Sequence, residues 1–256
     1  MNVETLPRYT RIADQKRLKF ILNNISSRLK PGAKILDIGC GNGVISIHLG
    51  SRGYAVLGID VSDKTIKTAT QQNTLSNVSF VQKSAEELSN EGQTFDAIIC
   101  SEVLEHLNNP GQLLEKIGKL LSKDGILIAT VPNGNGPREL FVTRPMLHLE
   151  KKNNYATRFV KGVKTTFGYS GKTTQSNADN LDHVQFFSYS RFNLLLQQHN
   201  FKMIKFGKAN FIDDVFPFSF FANRLIWLQK IDCWLVDYLP RWTTGGFFTV
   251  SIKQND

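Results

Sequence analysis

The chain has 256 residues, 41% of them hydrophobic, and a formal net charge of +9, which fits one large globular domain or a domain with an insertion. Its three cysteines lie far apart and form no CxxC or Cys/His cluster, which excludes a disulfide framework and favours a reducing compartment. Residues 1–10 have no apolar core and no uncharged run is long enough to span a bilayer, so we expect a cytoplasmic protein.

The positive charge is concentrated in residues 1–34 and 138–172, each with eight basic residues against two acidic ones. Such segments attract polyanions of any kind, so nucleic acid, anionic lipid headgroups and an acidic substrate all remain open. A solvated basic surface without a partner explains the same charge.

The first predicted element is an amphipathic helix from Asp14 to Leu29, which Pro31-Gly32 ends. The apolar run Ile35–Ile38 then predicts a buried strand that carries one acid, Asp37. Glycines follow at alternate positions, and an apolar stretch begins a second helix. Glycine permits positive φ and close approach of a ligand, while the helix N-terminus offers unpaired N–H groups. Strand, turn and helix therefore predict a nucleotide-class pocket.

The spacing of Gly39, Gly41 and Gly43 argues against a dinucleotide site, which needs the pattern Gly-x-Gly-x-x-Gly. Counting from Gly41 puts Ser46 at the third position, which disfavours an NAD-dependent oxidoreductase. An acid before the glycines suits a ligand with an amino-acid end, because a carboxylate such as Asp37 can hold an ammonium group. The ligand that this pattern favours is S-adenosylmethionine.

A second acid of the pocket follows the next predicted strand, Tyr54–Ile59, at Asp60. An acid about 20 residues beyond a glycine turn, at a strand end, can accept both hydroxyls of a ribose. We therefore assign Asp60 to the ribose.

Further strands are predicted at Val78–Val81, Phe95–Cys100 and Gly125–Val131, with a helix from Pro110 to Leu121. Alternating strands and helices predict a parallel doubly wound sheet whose ligands lie beyond the carboxyl ends of the strands. The candidate site residues at such ends are Asp37, Asp60, Ser84 and Ser101.

The second half of the chain predicts a cover and two more strands. Periodicity fades over residues 133–182, as in a functional lid, and a helix follows from Tyr189 to His199. Strands are predicted at Phe201–Phe206 and Phe247–Ile252, the terminal one antiparallel. The predicted fold is an α/β, Rossmann-like, seven-stranded and mostly parallel sheet. Its parts are a core (1–132), an inserted cover (133–182) and a C-terminal part of the same domain (183–256).

Between those two strands, residues 211–242 are rich in aromatic side chains. Apolar residues recur there at helical spacing: Leu225, Leu228, Ile231, Leu235 and Leu239. Ordinary core packing explains this pattern. An aromatic-rich amphipathic helix can also cover an apolar acceptor or rest on a membrane, so a peripheral membrane contact is the alternative.

Two stretches resemble a known family. Ile35–Gly43 resembles motif I of class I S-adenosylmethionine-dependent methyltransferases, and Cys100–Leu107 resembles the segment after the fourth strand in the ubiquinone-biosynthesis O-methyltransferase branch. The likeness covers residues 15–133 and implies a cofactor contact from Arg17. It also implies one from Ser84-Ala85, where many members have Asp-Ala. The predicted cofactor-binding residues are Arg17, Asp37, Gly39, Cys40, Gly41, Gly43, Asp60, Val61, Ser84, Ala85 and Ser101.

Glu102, Glu105 and His106 are the predicted catalytic residues, because at i, i+3 and i+4 they share one face if they lie on a helix. Methyl transfer from a sulfonium requires alignment and removal of the acceptor's proton, for which His106 is the candidate base or positioning group. In the resembling branch the matching residues are associated with a divalent metal. One imidazole among two carboxylates is a weak Mg²⁺ site, so we favour the metal-free alternative.

The sequence thus predicts an S-adenosylmethionine-dependent methyltransferase that O-methylates a small or lipid-linked acceptor by in-line displacement. An RNA methyltransferase is an alternative that the charge suggests, although no Asn-Pro-Pro-Tyr-like or Pro-Cys motif is present. A non-catalytic cofactor-binding protein is the other alternative, since Ser84 departs from the family pattern.

Overall fold

The computed structural model describes residues 6–88, 92–143, 184–215 and 217–254. The helices are α1 (Ile12–Ser26), α2 (Val44–Gly50), α3 (Asp63–Gln72), α4 (Pro110–Leu120), α5 (Tyr189–Gln198), α6 (Phe218–Ala222) and α7 (Ile226–Leu235). The strands are β1 (Lys34–Ile38), β2 (Ala55–Asp60), β3 (Val78–Gln82), β4 (Phe95–Ser101), β5 (Leu121–Pro132), β6 (Phe201–Lys208) and β7 (Gly246–Lys253).

The strands form one seven-stranded sheet in the order β3-β2-β1-β4-β5-β7-β6. The pairs among β1 to β5 are parallel, whereas β7 runs antiparallel to both β5 and β6. The prediction of a mostly parallel, doubly wound sheet with an antiparallel last strand is confirmed. The strand order reverses between β1 and β4, and ligands of such sheets bind outside the carboxyl ends of the strands at that point.

Two apolar clusters cover the two faces of this sheet. One contains Leu36 and Ile38 of β1 together with side chains of α4 and α5, and the other contains Ile35 with side chains of α1 and α2. Because side chains of a strand alternate between faces, Asp37 shares the face of Ile35, on which α2 packs. The apolar alternation of β1 therefore decides where its one carboxylate lies.

Most element ends lie within two residues of the prediction, and the larger differences are at the start of β5 and at the end of α1, which is Ser26 rather than Leu29. Strand β5 begins at Leu121 rather than Gly125, because Leu121 already pairs with Phe95 before a register irregularity. Helix α1 begins at Ile12, whose N–H donates to the Gln229 side chain at 3.0 Å. Both extensions depend on partners far along the chain, which local pattern does not reveal.

The predicted cover lies mostly outside the described residues. Its described start, residues 133–143, includes a π-helical turn at Glu139–Thr143. Asn133 donates to the carbonyl oxygens of Trp242 and Thr244, so this start is tied to the segment before β7. The division into core, cover and C-terminal part stays a prediction.

Among the residues that the structure describes, no helix has the length and apolar character needed to cross a membrane.

The turn between β1 and α2 allows a paired test of packing against backbone strain. Gly43 has φ 77°, and an added Cβ would lie 2.6 Å from Phe80 Cζ. Gly32 has φ 90°, with nothing within 4 Å of such a Cβ. We expect Gly32→Ala to lower the free energy of unfolding by about 1–2 kcal/mol through strain alone. Gly43→Ala should lower it by about 1–3 kcal/mol more through overpacking.

Urea denaturation of both variants checks this expectation. Equal losses would show that the Phe80 ring moves aside and that packing does not fix the turn.

Candidate active site

Three glycines in the left-handed region form the turn after β1. Gly39, Gly41 and Gly43 have φ values of 68°, 54° and 77°, which side chains with a Cβ rarely adopt. A Cβ on Gly39 would lie 2.4 Å from Val103 Cγ2, so the turn passes directly beside the residues that follow β4. The Cys40 N–H donates to the Ile59 carbonyl at 2.9 Å, which joins the turn to β2.

Asp37 is buried next to this turn with 1% of its surface exposed. Its Oδ2 accepts a hydrogen bond from Ser46 Oγ at 2.6 Å, whereas Oδ1 has no hydrogen-bond partner among the described residues. Burial raises the pKa of Asp37 to about 7, and the Ser46 hydrogen bond opposes that rise. A buried, half-satisfied carboxylate gains from a nearby cation, as the sequence prediction of an ammonium partner requires.

Asp60 faces the same turn from the end of β2. Its Oδ2 accepts from the Gly41 N–H at 3.0 Å, and its Oδ1 accepts from the Ser62 N–H at 2.9 Å. Each carboxylate oxygen has a second lone pair, so Asp60 keeps the capacity to accept hydroxyl hydrogen bonds. The next residue, Val61, is exposed at the same strand end.

Ser84 and Ala85 lie beyond the end of β3, at a short 3-10 helix, Ala85–Glu87. The Ser84 hydroxyl accepts from the Glu87 N–H at 3.2 Å, and the Glu87 carboxylate accepts from the Ser84 N–H at 2.9 Å. These two reciprocal hydrogen bonds form a capping box, in which Ser84 stabilises the start of the short helix. Its predicted adenine contact stays a prediction.

Arg17 reaches the site from α1 and is buried. Its guanidinium lies 3.2 Å from Asp14 Oδ1 and 3.6 Å from Glu102 Oε1, and its Cζ lies 5.7 Å from the centre of the Tyr9 ring. Its Nε has no hydrogen-bond partner among the described residues. A buried guanidinium with free donor capacity suits a carboxylate ligand.

Glu102 does not lie on a helix, so the prediction that Glu102, Glu105 and His106 share one helical face is wrong. Glu102 has φ 57°, and its N–H donates to the Thr130 carbonyl at 3.0 Å, which continues the pairing of β4 with β5. Only Leu104–His106 forms a turn of 3-10 helix. The Thr130 hydroxyl donates to Glu102 Oε1 at 2.8 Å and lies 2.9 Å from Ser101 Oγ.

Glu105 is buried with 1% of its surface exposed, and neither carboxylate oxygen has a hydrogen-bond partner among the described residues. Burial, and secondarily the charge of Glu102, raises the pKa of Glu105 well above its usual value. His106 Nε2 lies 3.8 Å from Glu105 Oε1. Carboxyl groups with raised pKa values beside a histidine are typical of sites that move protons.

In the described part of the chain, Glu102, Glu105 and His106 do not bring three donor atoms within 4.8 Å of one another, and the metal site that the resemblance implies stays a prediction. Glu102 is held at Thr130, whereas Glu105 is enclosed beside His106. Within the described ranges, the cluster close enough to hold a metal ion is Asp213, Asp232 and Cys233, elsewhere in the fold. Asp232 there accepts from the N–H groups of two loop residues, 211 and 212, so it fixes a loop.

The segment Pro7–Thr10 lies over the glycine turn. The sequence did not predict this segment as part of the site. Tyr9 is half-buried, and the protein around its hydroxyl raises the pKa of that group by desolvation, while Arg17 opposes the rise. The Pro7 carbonyl lies 2.9 Å from His48 Nε2. The segment lacks periodicity, so no sequence signal marked it. The residues around the resulting cavity are Pro7, Arg8, Tyr9, Thr10, Gly39, Cys40, Gly41, Asn42, Val44, Ile45, Gln72 and Ser101.

The predicted cofactor residues at the ends of β1, β2 and β4, together with Arg17, therefore meet around one turn. Fold and site define an α/β protein that binds a nucleoside bearing an amino-acid end. The family model described as a methyltransferase domain matches residues 9–205, so the chain belongs to that family. S-adenosylmethionine is the cofactor of the family, as the sequence analysis predicted.

Curated relatives agree with the resemblance over part of their length. The ubiquinone biosynthesis O-methyltransferase of Rickettsia typhi is 35% identical over 130 residues, which cover 49% of this chain and 52% of that one. The chain thus spans about half the length of the curated relatives it matches.

Solved structures agree with the fold. The magnesium protoporphyrin IX methyltransferase of Synechocystis PCC 6803 with bound S-adenosylhomocysteine has TM-score 0.56 at 16% identity, covering 95% of this chain and 84% of that one. The [4+2]-cyclase SpnF has TM-score 0.56 at 17% identity, covering 93% and 82%. One architecture therefore occurs in proteins named for different reactions, and function must be argued from the site.

The raised pKa of Asp37 predicts a pH-dependent gain in stability for Asp37→Asn. The unfolded carboxyl has the ordinary pKa of 3.8 and the folded one a pKa of about 7, so the folded state alone holds the proton between these values. Stability from this group is therefore full below about pH 4, falls as the pH rises, and is fully lost above about pH 7. The neutral amide, which can still accept from Ser46, should raise the free energy of unfolding by about 1–3 kcal/mol at pH 8.5 and by clearly less at pH 5.

Urea denaturation at both pH values measures this difference. Asp124→Asn removes an exposed carboxylate and is the matched control, for which we expect the same small effect at both pH values. A destabilised Asp37→Asn variant at pH 8.5 would contradict the raised pKa.

Proposed function

We propose that the chain is an S-adenosylmethionine-dependent O-methyltransferase that acts on a small or lipid-linked acceptor hydroxyl. The observation that carries the proposal is the meeting of Asp37, Asp60 and Arg17 around a left-handed glycine turn, beside the buried Glu105 and the half-buried His106. The names of the curated relatives support oxygen as the methylated atom and a lipid-linked molecule as the acceptor.

Each residue around the turn binds a different part of the cofactor. Asp60 accepts hydrogen bonds from the ribose hydroxyls, and Arg17 pairs with the carboxylate of the amino-acid end. Asp37 stabilises the ammonium group, directly or through water, and gives up its proton when it does so. Bound S-adenosylmethionine supplies a methyl group already activated on a sulfonium. The protein then has to align the acceptor oxygen and remove its proton.

His106 is the base that we assign to proton removal. The imidazole ring offers a nitrogen lone pair that can accept a proton, as a general base must. Glu105 lies 3.8 Å away; its burial favours the neutral acid, and a proton arriving on His106 favours its ionised form, which in turn stabilises the imidazolium. Glu102 is a positioning residue in this scheme, because it holds Arg17 on one side and accepts from Thr130 on the other.

A cofactor-binding protein without transferase activity is the second candidate. SpnF, a [4+2]-cyclase with the same architecture, favours this second candidate as an alternative to methyl transfer. Binding of S-adenosylmethionine without transfer to any acceptor would support this candidate.

Calorimetric titration tests the cofactor assignment. We expect S-adenosylmethionine and S-adenosylhomocysteine to bind and NAD not to bind. Asp60→Ala should weaken binding by about 1–3 kcal/mol, because the ribose hydroxyls lose their acceptors. Asp63→Ala is the matched control, since Asp63 pairs with Lys67 at the surface of α3. Unchanged affinity in Asp60→Ala would remove Asp60 from the site.

Transfer of a labelled methyl group to acceptors in a cell extract tests the base. His106→Ala should lower turnover by about 10²–10⁴-fold with nearly unchanged cofactor affinity, and a chelator should have no effect on the parent enzyme. His199→Ala is the control, because His199 lies beside Glu115 of α4. Full activity of His106→Ala would refute the assignment, and loss of activity with a chelator would favour the metal alternative.

A further inference from the structure

Helix α7 presents most of its large apolar side chains to solvent and turns two polar ones toward the protein. Gln229 and Asp232 are 6% and 4% exposed, whereas Trp227, Ile231 and Trp234 are 54%, 50% and 60% exposed. This is the reverse of an ordinary surface helix. The interpretation of residues 211–242 as ordinary core packing is therefore wrong for the outer side of α7.

Hydrogen bonds fix this orientation of α7. Gln229 accepts from the Ile12 N–H at 3.0 Å and donates to the Ala222 carbonyl at 2.9 Å. Asp232 accepts from the N–H groups of Phe211 and Ile212 at 2.7 and 2.9 Å. Turning the tryptophans inward would break these four bonds, so the apolar side stays outside.

The exposed apolar side chains continue on both sides of α7. We call this set the aromatic face: Phe221, Leu225, Ile226, Trp227, Ile231, Trp234, Leu235, Tyr238 and Trp242, all of them exposed. The rings of Trp234 and Tyr238 pack together with centroids 4.9 Å apart. Exposed apolar sets of this size mark interaction sites rather than ordinary surface.

The charges within the same segment are mainly positive. Arg224, Lys230 and Arg241 are exposed, whereas Asp232 is buried and Asp237 pairs with Lys16 at 2.7 Å. A second copy of this chain, related by a two-fold axis, would place equal positive charges opposite one another. The charge therefore favours an anionic partner.

We propose that the aromatic face docks this protein onto the headgroup region of an anionic lipid bilayer. Tryptophan and tyrosine prefer that region because each ring has an apolar body and a polar edge. An amphipathic helix lies in the plane of the interface with its apolar side in the lipid, and neighbouring cations add attraction to anionic headgroups.

Helix α1 connects the aromatic face to the candidate active site. Ile12 and Lys16 contact α7, whereas Asp14 and Arg17 lie at the site. Helices α7 and α1 therefore lie between the docking surface and the cofactor residues, a separation of about 20 Å for two helix diameters. Docking onto the bilayer does not depend on the proposed function. Delivery of a lipid-linked acceptor from the bilayer to the site does depend on it.

Sedimentation of the full chain with vesicles tests docking without any measurement of methyl transfer. We expect binding to vesicles of phosphatidylcholine and phosphatidylglycerol (about 3:1), weaker binding to phosphatidylcholine alone, and weakening by salt. Trp227→Ala with Trp234→Ala should reduce partitioning by about tenfold or more, because two large apolar side chains are lost. Leu194→Ala, an exposed leucine of α5, is the matched control.

Lys230→Glu is a second variant that retains every aromatic side chain. It should lower binding to the anionic vesicles several-fold, and its thermal unfolding should match the parent's. The proposal is overturned if the parent chain does not bind anionic vesicles, or if both variants bind as it does. It is also overturned if light scattering shows a dimer that the tryptophan variant dissociates, since a second copy then occupies the face.

Discussion

The hydrogen bond between Asp37 and Ser46 holds a carboxylate in the core at the point where β1 meets α2. Burial of that group is unfavourable, as the raised pKa records, and the core on both sides of β1 leaves it no route to water. The glycine turn above it can adopt its shape because Gly39, Gly41 and Gly43 occupy the left-handed region. Strand, turn and helix thus keep an electrostatically unfavourable group at a place where a bound cation would stabilise it.

The neighbouring carboxyl groups add to this unfavourable concentration of negative charge. Asp60 raises the pKa of Asp37, and Glu102 raises the pKa of Glu105, while Arg17 is the buried cation between Asp14 and Glu102. Such an excess of carboxylates favours a ligand with positive charge. S-adenosylmethionine carries both an ammonium and a sulfonium, and this electrostatic match agrees with the family to which the chain belongs.

Predictions from the sequence were correct where the local residue pattern alone determines the structure. The apolar run of β1, the alternate glycines and Asp60 at the end of β2 follow directly from strand periodicity and backbone freedom. Sequence reasoning failed where contacts with residues distant in the sequence determine the local conformation. Glu102 turns away from a helix because its N–H pairs with Thr130, and α7 buries Gln229 because the first N–H of α1 needs an acceptor. The segment around Tyr9 has no periodic pattern, so the sequence did not predict its place at the site.

Proton release on cofactor binding tests the central claim most directly. Calorimetric titration with S-adenosylmethionine at pH 7, in two buffers of different ionisation enthalpy, counts the protons exchanged. Because burial raises the pKa of Asp37 to about 7, an ammonium partner should release about half a proton from it, and Asp37→Asn should abolish that release. The same proton count in both proteins would contradict a cofactor site built on Asp37.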